Sequence, residues 1–176
     1  MKHHTSHLIL GGARSGKSRY GEQQALAATG VSRWVYVATA SAQDAEMAVR
    51  IRHHRENRDP RWHTVEQPTR LGAALRAHDD VTTCVLVDCL TLWLNNCLAE
   101  DCWAHERDDL IDAVARSRAR LVFVSNEVGS GVVPMGSLSR QFVDAAGRLH
   151  QRLAEQCTRV TLVVAGLPLT LKENAE

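Results

Sequence analysis

At 176 residues and a net charge of +1, the chain is long enough to bury one core without staples. It lacks the field that nucleic acid or an anionic membrane would select. Its 44% hydrophobic and 23% charged residues are those of a soluble globular protein. Cys84, Cys89, Cys97, Cys102 and Cys157 are odd in number and form no C-x-x-C pair, so they read as reduced, cytosolic thiols. No run reaches the roughly 18 apolar residues of a membrane span, and Met1 to His7 has no apolar stretch. The expectation is a cytoplasmic protein with no membrane insertion and no nucleic-acid partner.

Residues 1–7 read as a flexible extension in which His3, His4 and His7 belong to a frayed terminus, and 8–176 as a single domain. The apolar run ending at Gly11 predicts a first strand over 7–11, followed by a helix over 16–29 closed by Gly30. Trp34 to Ala38 is strand-like, and 42–57 reads as a helix with acidic residues at its start, arginines at its end, and Pro60 beyond. A short strand, Trp62 to Glu66, precedes a helix capped by Thr69 and reaching about Ala77.

Thr83 to Val87 is a continuous apolar run, the pattern of a central parallel strand covered on both faces, and Asp88 ends it. Helices are predicted over 90–99 and 104–118, then a buried strand over Leu121 to Ser125 and a glycine-rich loop from Glu127 to Gly136. A long helix over 138–156, a strand over 159–165 and an edge strand over Leu169 to Lys172 complete the chain. Strands alternating with helices predict one α/β domain with a mainly parallel sheet. Between 90 and 103, Leu90, Leu92, Leu94, Leu98, Trp93 and Trp103 exceed what one helix face needs, which predicts a subunit contact there.

Residues 11–18, Gly-Gly-Ala-Arg-Ser-Gly-Lys-Ser, match the phosphate loop G-x-x-x-x-G-K-[ST]. Glycines let main-chain N–H groups approach an anion, and the helix that follows adds the positive end of its dipole. Lys17, one of three lysines in the chain, would reach the β- and γ-phosphates, and the Ser18 hydroxyl would ligate Mg²⁺. Asp88, at a strand end, has the form of a carboxylate that holds Mg²⁺ through water or orients an attacking hydroxyl; Thr91 offers a competing helix cap. Glu127 either positions a nucleophile or the metal, or is a loop carboxylate.

His53 and His54 end the predicted second helix. At 100° per residue, Met47, Ile51 and His54 share a stripe about 60° wide, so His54 faces inward and His53 outward. An inward histidine near a phosphate site is a base, a charge stabiliser or a covalent phosphoryl carrier, or simply a satisfied core side chain. Arg50, Arg52, Arg55 and Arg58 bring positive charge to the same end, as a solvated face or as phosphate contacts.

Together with Tyr36-Val-Ala-Thr39, Asp44-Ala-Glu-Met47, Trp62 with Glu66, and Asn126-Glu-Val-Gly129 with Val133-Pro134, these motifs resemble one family over roughly residues 8–168. It is the bifunctional adenosylcobinamide kinase/adenosylcobinamide-phosphate guanylyltransferase family. The resemblance implies a RecA-like P-loop fold and a homotrimer. It implies NTP-dependent phosphorylation of the aminopropanol hydroxyl of adenosylcobinamide, with ATP or GTP as donor and Mg²⁺ as cofactor. Transfer of GMP from GTP onto adenosylcobinamide phosphate follows, through a GMP–histidine intermediate at the position of His54. By the same resemblance nucleotide contacts come from Gly11, Gly12, Ala13, Arg14, Ser15, Gly16, Lys17 and Ser18 in the loop. Beyond it they come from Thr39, Ala40, Ser41, Arg55, Glu56, Asn57, Arg58, Glu66 and Asp88. Two rivals stand beside this reading: a P-loop kinase of one activity, which needs no covalent histidine, and a RecA-like nucleotide-driven assembly protein.

Overall fold

The computed structural model describes residues 5–40 and 58–174. The predicted helix over 42–57 lies outside the described residues. The seven strands are β1 (Ser6–Gly11), β2 (Arg33–Ala38), β3 (Trp62–Glu66), β4 (Thr83–Asp88), β5 (Arg120–Asn126), β6 (Arg159–Val164) and β7 (Leu167–Glu173). The described helices are α1 (Lys17–Leu26), α2 (Leu71–Ala77), α3 (Leu90–Ala99), α4 (Trp103–Arg116) and α5 (Ser137–Gln156).

The strands form one sheet in the order β3-β2-β4-β5-β1-β6-β7, with β1 to β6 parallel and β7 antiparallel to β6. The period of two along each strand sorts its side chains into two cores. Leu8, Val35, Val37, Val85, Val87, Leu121 and Phe123 face α2 to α5 on one side of the sheet. Ile9, Tyr36, Cys84, Leu86, Val122 and Val124 occupy the other face, where α1 contributes Ala25. β4 and β5 are therefore apolar at consecutive positions because both faces are covered.

Several boundaries differ from the sequence reading. β1 begins at Ser6, and His7 is buried with its Nε2 2.8 Å from Thr161 Oγ1, so these two residues are strand and not frayed extension. α1 stops at Leu26, three residues before the predicted end, because Trp34 Nε1 takes the Ala25 carbonyl at 3.0 Å and the last turn tightens. Gly30 adopts φ 73° in the turn beyond, not as the cap. Thr69 does not cap α2; Arg70 holds that position, and the Thr69 carbonyl accepts from Leu71 N and Trp93 Nε1.

Much of the apolar surplus of 90–103 is absorbed inside the chain itself. Leu90, Trp93, Leu94 and Cys97 are fully buried, Leu92, Leu98 and Trp103 are half-buried, and Trp93 meets Trp103 edge-on at 5.4 Å. Among the described residues the large exposed apolar side chains lie elsewhere: Val81 before β4, Val132, Val133, Met135 and Leu138 after β5, and Val164, Leu167, Leu169 and Leu171 in the β6–β7 hairpin.

Candidate active site

The phosphate loop leaves the carboxyl end of β1 at the point where the strand order reverses, with β5 on one side and β6 on the other. A Cβ on Gly11 would stand 2.5 Å from Ser15 Oγ and 2.7 Å from the Val163 carbonyl, so only glycine fits where the loop folds against β6. Arg14 and Gly16 take φ of 55° and 93°, and the turn is closed by Ser15 N donating to Gly12 O at 3.3 Å. α1 then starts at Lys17 with Gly16 at its N-cap and no side-chain cap, which leaves its first N–H groups for an anion. Lys17 is 9% exposed and its Nζ donates back to Gly12 O at 3.1 Å, placing the ammonium across the loop.

A second loop braces the first. The β6–β7 hairpin turns through Ala165 and Gly166, both at positive φ, and Gly166 N donates to Ser15 O at 2.8 Å. A Cβ on Gly16 would stand 3.3 Å from Gly166 Cα, so the two turns pack backbone to backbone. Sequence reasoning missed this brace; its only local signal is Ala-Gly between two apolar runs.

At the carboxyl end of β4, half-buried Asp88 accepts a hydrogen bond from Tyr36 Oη at 2.8 Å through Oδ2. The Arg58 guanidinium stacks on the Tyr36 ring, 3.6 Å from its centroid, and donates to Thr64 Oγ1 at 3.0 Å. Glu22 of α1 lies in the field of Arg58 and Asp88; burial and the neighbouring carboxylates hold its carboxyl above the ordinary value. Thr39 is fully buried, and its hydroxyl clamps the residue after Asp88: Oγ1 donates to Cys89 O at 2.7 Å and accepts from Cys89 N at 2.8 Å. Half-buried Ala40 follows it, and exposed Glu66 ends β3 opposite Ala38.

At the end of β5, Glu127 N donates to Gly11 O at 3.0 Å, tying this strand end to the phosphate loop. The Glu127 carboxylate accepts from Gly129 N at 2.8 Å and Ser130 N at 3.2 Å, and the bonds from Ser130 foremost hold it below the ordinary glutamate value. Thr91 does not cap α3, where Cys89 takes the N-cap; its hydroxyl accepts from Asn126 N at 2.8 Å. Ser125 Oγ lies 2.8 Å from His150 Nε2 of α5, and burial lowers that imidazole's pKa. Tyr36 and His150 are site neighbours that spacing along the chain does not reveal.

The structure thus brings Gly11 to Ser18, Arg58, Asp88 and Glu127 to the carboxyl edge of the sheet. Ser41, His54, Arg55, Glu56 and Asn57 lie outside the described residues, as do His53, Arg50 and Arg52. Among the described residues no group of three or more His, Cys, Asp or Glu side chains is placed to cage a metal. The predicted metal residues, Ser18 and Asp88, are a hydroxyl and a carboxylate. Such a hard, incomplete oxygen set fits Mg²⁺, which brings its remaining ligands as water and triphosphate oxygens. A hollow of about 40 Å³ around Arg76, Asp79 and Asp112 sits instead at the amino edge of the sheet, between α2 and α4.

Comparison with known proteins agrees with this architecture. The family model described as "Cobinamide kinase / cobinamide phosphate guanyltransferase" matches residues 7–171. A Pseudomonas aeruginosa protein named bifunctional adenosylcobalamin biosynthesis protein CobP is 52% identical over 168 residues, 94% of this chain and 96% of its own length. An Escherichia coli protein named bifunctional adenosylcobalamin biosynthesis protein CobU is 40% identical over 182 residues, 94% of this chain and 98% of its own. Among solved structures an ATPase domain superposes with a TM-score of 0.51, covering 92% of this chain and 70% of its own. At 12% identity it shows the RecA-like P-loop fold and nothing more.

Proposed function

This chain belongs to the cobinamide kinase / cobinamide phosphate guanyltransferase family, and we propose that it catalyses both reactions on adenosylcobinamide at the Gly11–Ser18 edge of the sheet. The observation that carries the proposal is a complete phosphate loop, with Lys17 folded across it, inside a match to the family over nearly the whole chain.

In the first reaction the aminopropanol hydroxyl attacks the γ-phosphorus of ATP or GTP, the bond to the β-phosphate oxygen breaks, and the diphosphate leaves. Lys17 and the first-turn N–H groups of α1 bind the charge that builds on the phosphoryl oxygens. Glu127, at the neighbouring strand end, orients the attacking hydroxyl, while Ser18 and Asp88 would hold Mg²⁺, which would supply charge neutralisation when bound. In the second reaction His54 attacks the α-phosphorus of GTP and pyrophosphate leaves, giving a phosphoramidate. An oxygen of adenosylcobinamide phosphate then attacks the same phosphorus, the P–N bond breaks, and adenosylcobinamide-GDP is released. A neutral imidazole, with an ordinary pKa of about 6.5, is nucleophilic at pH 7 without a partner to deprotonate it. A cytoplasmic homotrimer belongs to the same proposal; light scattering that reports a monomer would remove that part.

The proposal predicts a split phenotype. Incubation with α-labelled GTP and Mg²⁺ should label the protein, with an adduct labile in acid and stable in base. His54→Ala should abolish labelling and GMP transfer while phosphorylation of adenosylcobinamide continues; His53→Ala should still take label. A single-activity kinase or an assembly protein stays unlabelled throughout. Labelling of His54→Ala at the wild-type rate would place the nucleophile elsewhere.

A further inference from the structure

Tyr36 sits in the middle of β2, 4% exposed, on the α1 face of the sheet beside Leu86. An apolar residue would fill that position without needing a polar partner, whereas a buried phenol requires one. The partner it finds is a carboxylate at the edge of the crevice: Tyr36 Oη donates to Asp88 Oδ2 at 2.8 Å. In the parallel register Tyr36 lies opposite Leu86 and Ala38 opposite Asp88, so the bond runs diagonally over two residues, a span that suits a long, rigid phenol. A phenol, with an ordinary pKa of about 10, is a donor at neutral pH.

The ring is held on both sides. Trp62 meets it edge-on at 5.6 Å, and the Arg58 guanidinium covers it at 3.6 Å. One side chain therefore touches both Arg58 and Asp88. A charge-assisted bond from a ring that cannot move fixes the plane of the carboxylate and engages one of its two oxygens.

We propose that Tyr36 is a positioning residue for the nucleotide site: its hydroxyl orients the Asp88 carboxylate toward the cation of a metal–triphosphate, and its ring holds Arg58 beside it. The inference rests on the nucleotide-site reading given above. Tyr36→Phe tests it, because that change removes the hydroxyl and leaves the ring against Trp62 and Arg58. Mn²⁺ is the probe, measured by its electron spin resonance in the presence of a non-hydrolysable GTP analogue.

Tyr36→Phe should raise the Mn²⁺ dissociation constant by about 10-fold to 100-fold, the usual cost of losing a residue that orients a metal ligand. Analogue binding in EDTA and urea unfolding should stay near wild type, a split that a merely structural role would not produce. Asp88→Asn should show the same Mn²⁺ defect, and Tyr36→Phe added to it should do nothing more. Wild-type Mn²⁺ affinity in Tyr36→Phe, or defects that multiply in the double variant, would overturn the inference alone. Wild-type protein that binds neither analogue nor Mn²⁺ would instead overturn the nucleotide-site reading beneath it.

Discussion

His7 illustrates how one residue carries information that its neighbours in sequence conceal. Preceded by a polar segment with two further histidines, it reads as part of a loose end, yet it pairs in β1 with Val122 on one side and Arg159 on the other. Burial, and secondarily the charge of Arg159, lower its pKa to about 4. An unfolded histidine titrates near 6.5, so between pH 6.5 and pH 4 the unfolded chain binds more protons at this position than the folded one. Stability should therefore be intact above pH 6.5 and fall as the pH drops through that window, by about 3 kcal/mol at pH 4 from this residue. Urea unfolding as a function of pH checks this by subtraction. His7→Gln keeps a partner for Thr161 and should lose less stability than wild type between pH 6.5 and pH 4; parallel curves would show that His7 is not buried in its neutral form.

At the scale of elements, what was legible is what is local. The apolar runs of β4 and β5 declare central parallel strands, and the eight-residue spacing of Gly11 to Ser18 declares a phosphate loop between strand and helix. What was not legible depends on partners far along the chain. The end of α1 is set by Trp34, the start of α2 is tied to Trp93, and Asp88 and Ser125 are held by Tyr36 and His150. The same limit holds for α3: a surplus of apolar residues is visible in sequence, but which of them the chain itself buries is decided by α2, α4 and the sheet. Trp93 has no exposure, and its indole donates to the Thr69 carbonyl while meeting Trp103. Trp93→Ala should thus cost about 3–5 kcal/mol of folding stability, read as a lower urea midpoint, since cavity and lost hydrogen bond act together. A loss below about 1 kcal/mol is what a surface position gives, and would place the ring on the exterior of the chain.

On the scale of the whole molecule the sheet order sets what stands on either side of the phosphate loop. β1 lies between β5 and β6, Glu127 N bonds to Gly11 O from one side, and Gly166 N bonds to Ser15 O from the other. The loop is braced from both flanks, and among the described residues it is the one segment built to cradle a triphosphate. In the proposed sequence of reactions the γ-phosphorus is attacked in the kinase step and the α-phosphorus in guanylyl transfer, so different nucleophiles must approach the same bound nucleotide. Lys17 then serves both steps, stabilising the transferred phosphoryl in one and the departing pyrophosphate in the other. Lys17→Ala should lower both rates by about 10²–10³-fold or more, the scale for removing one preorganised donor from a transition state. A non-hydrolysable GTP analogue should inhibit ATP-dependent phosphorylation competitively, with the same inhibition constant that it shows against GTP in guanylyl transfer. Two separate triphosphate sites would give unequal constants and non-competitive kinetics. A folded Lys17→Ala protein with full kinase activity would show that the loop of Gly11 to Ser18 is not where the phosphoryl donor binds.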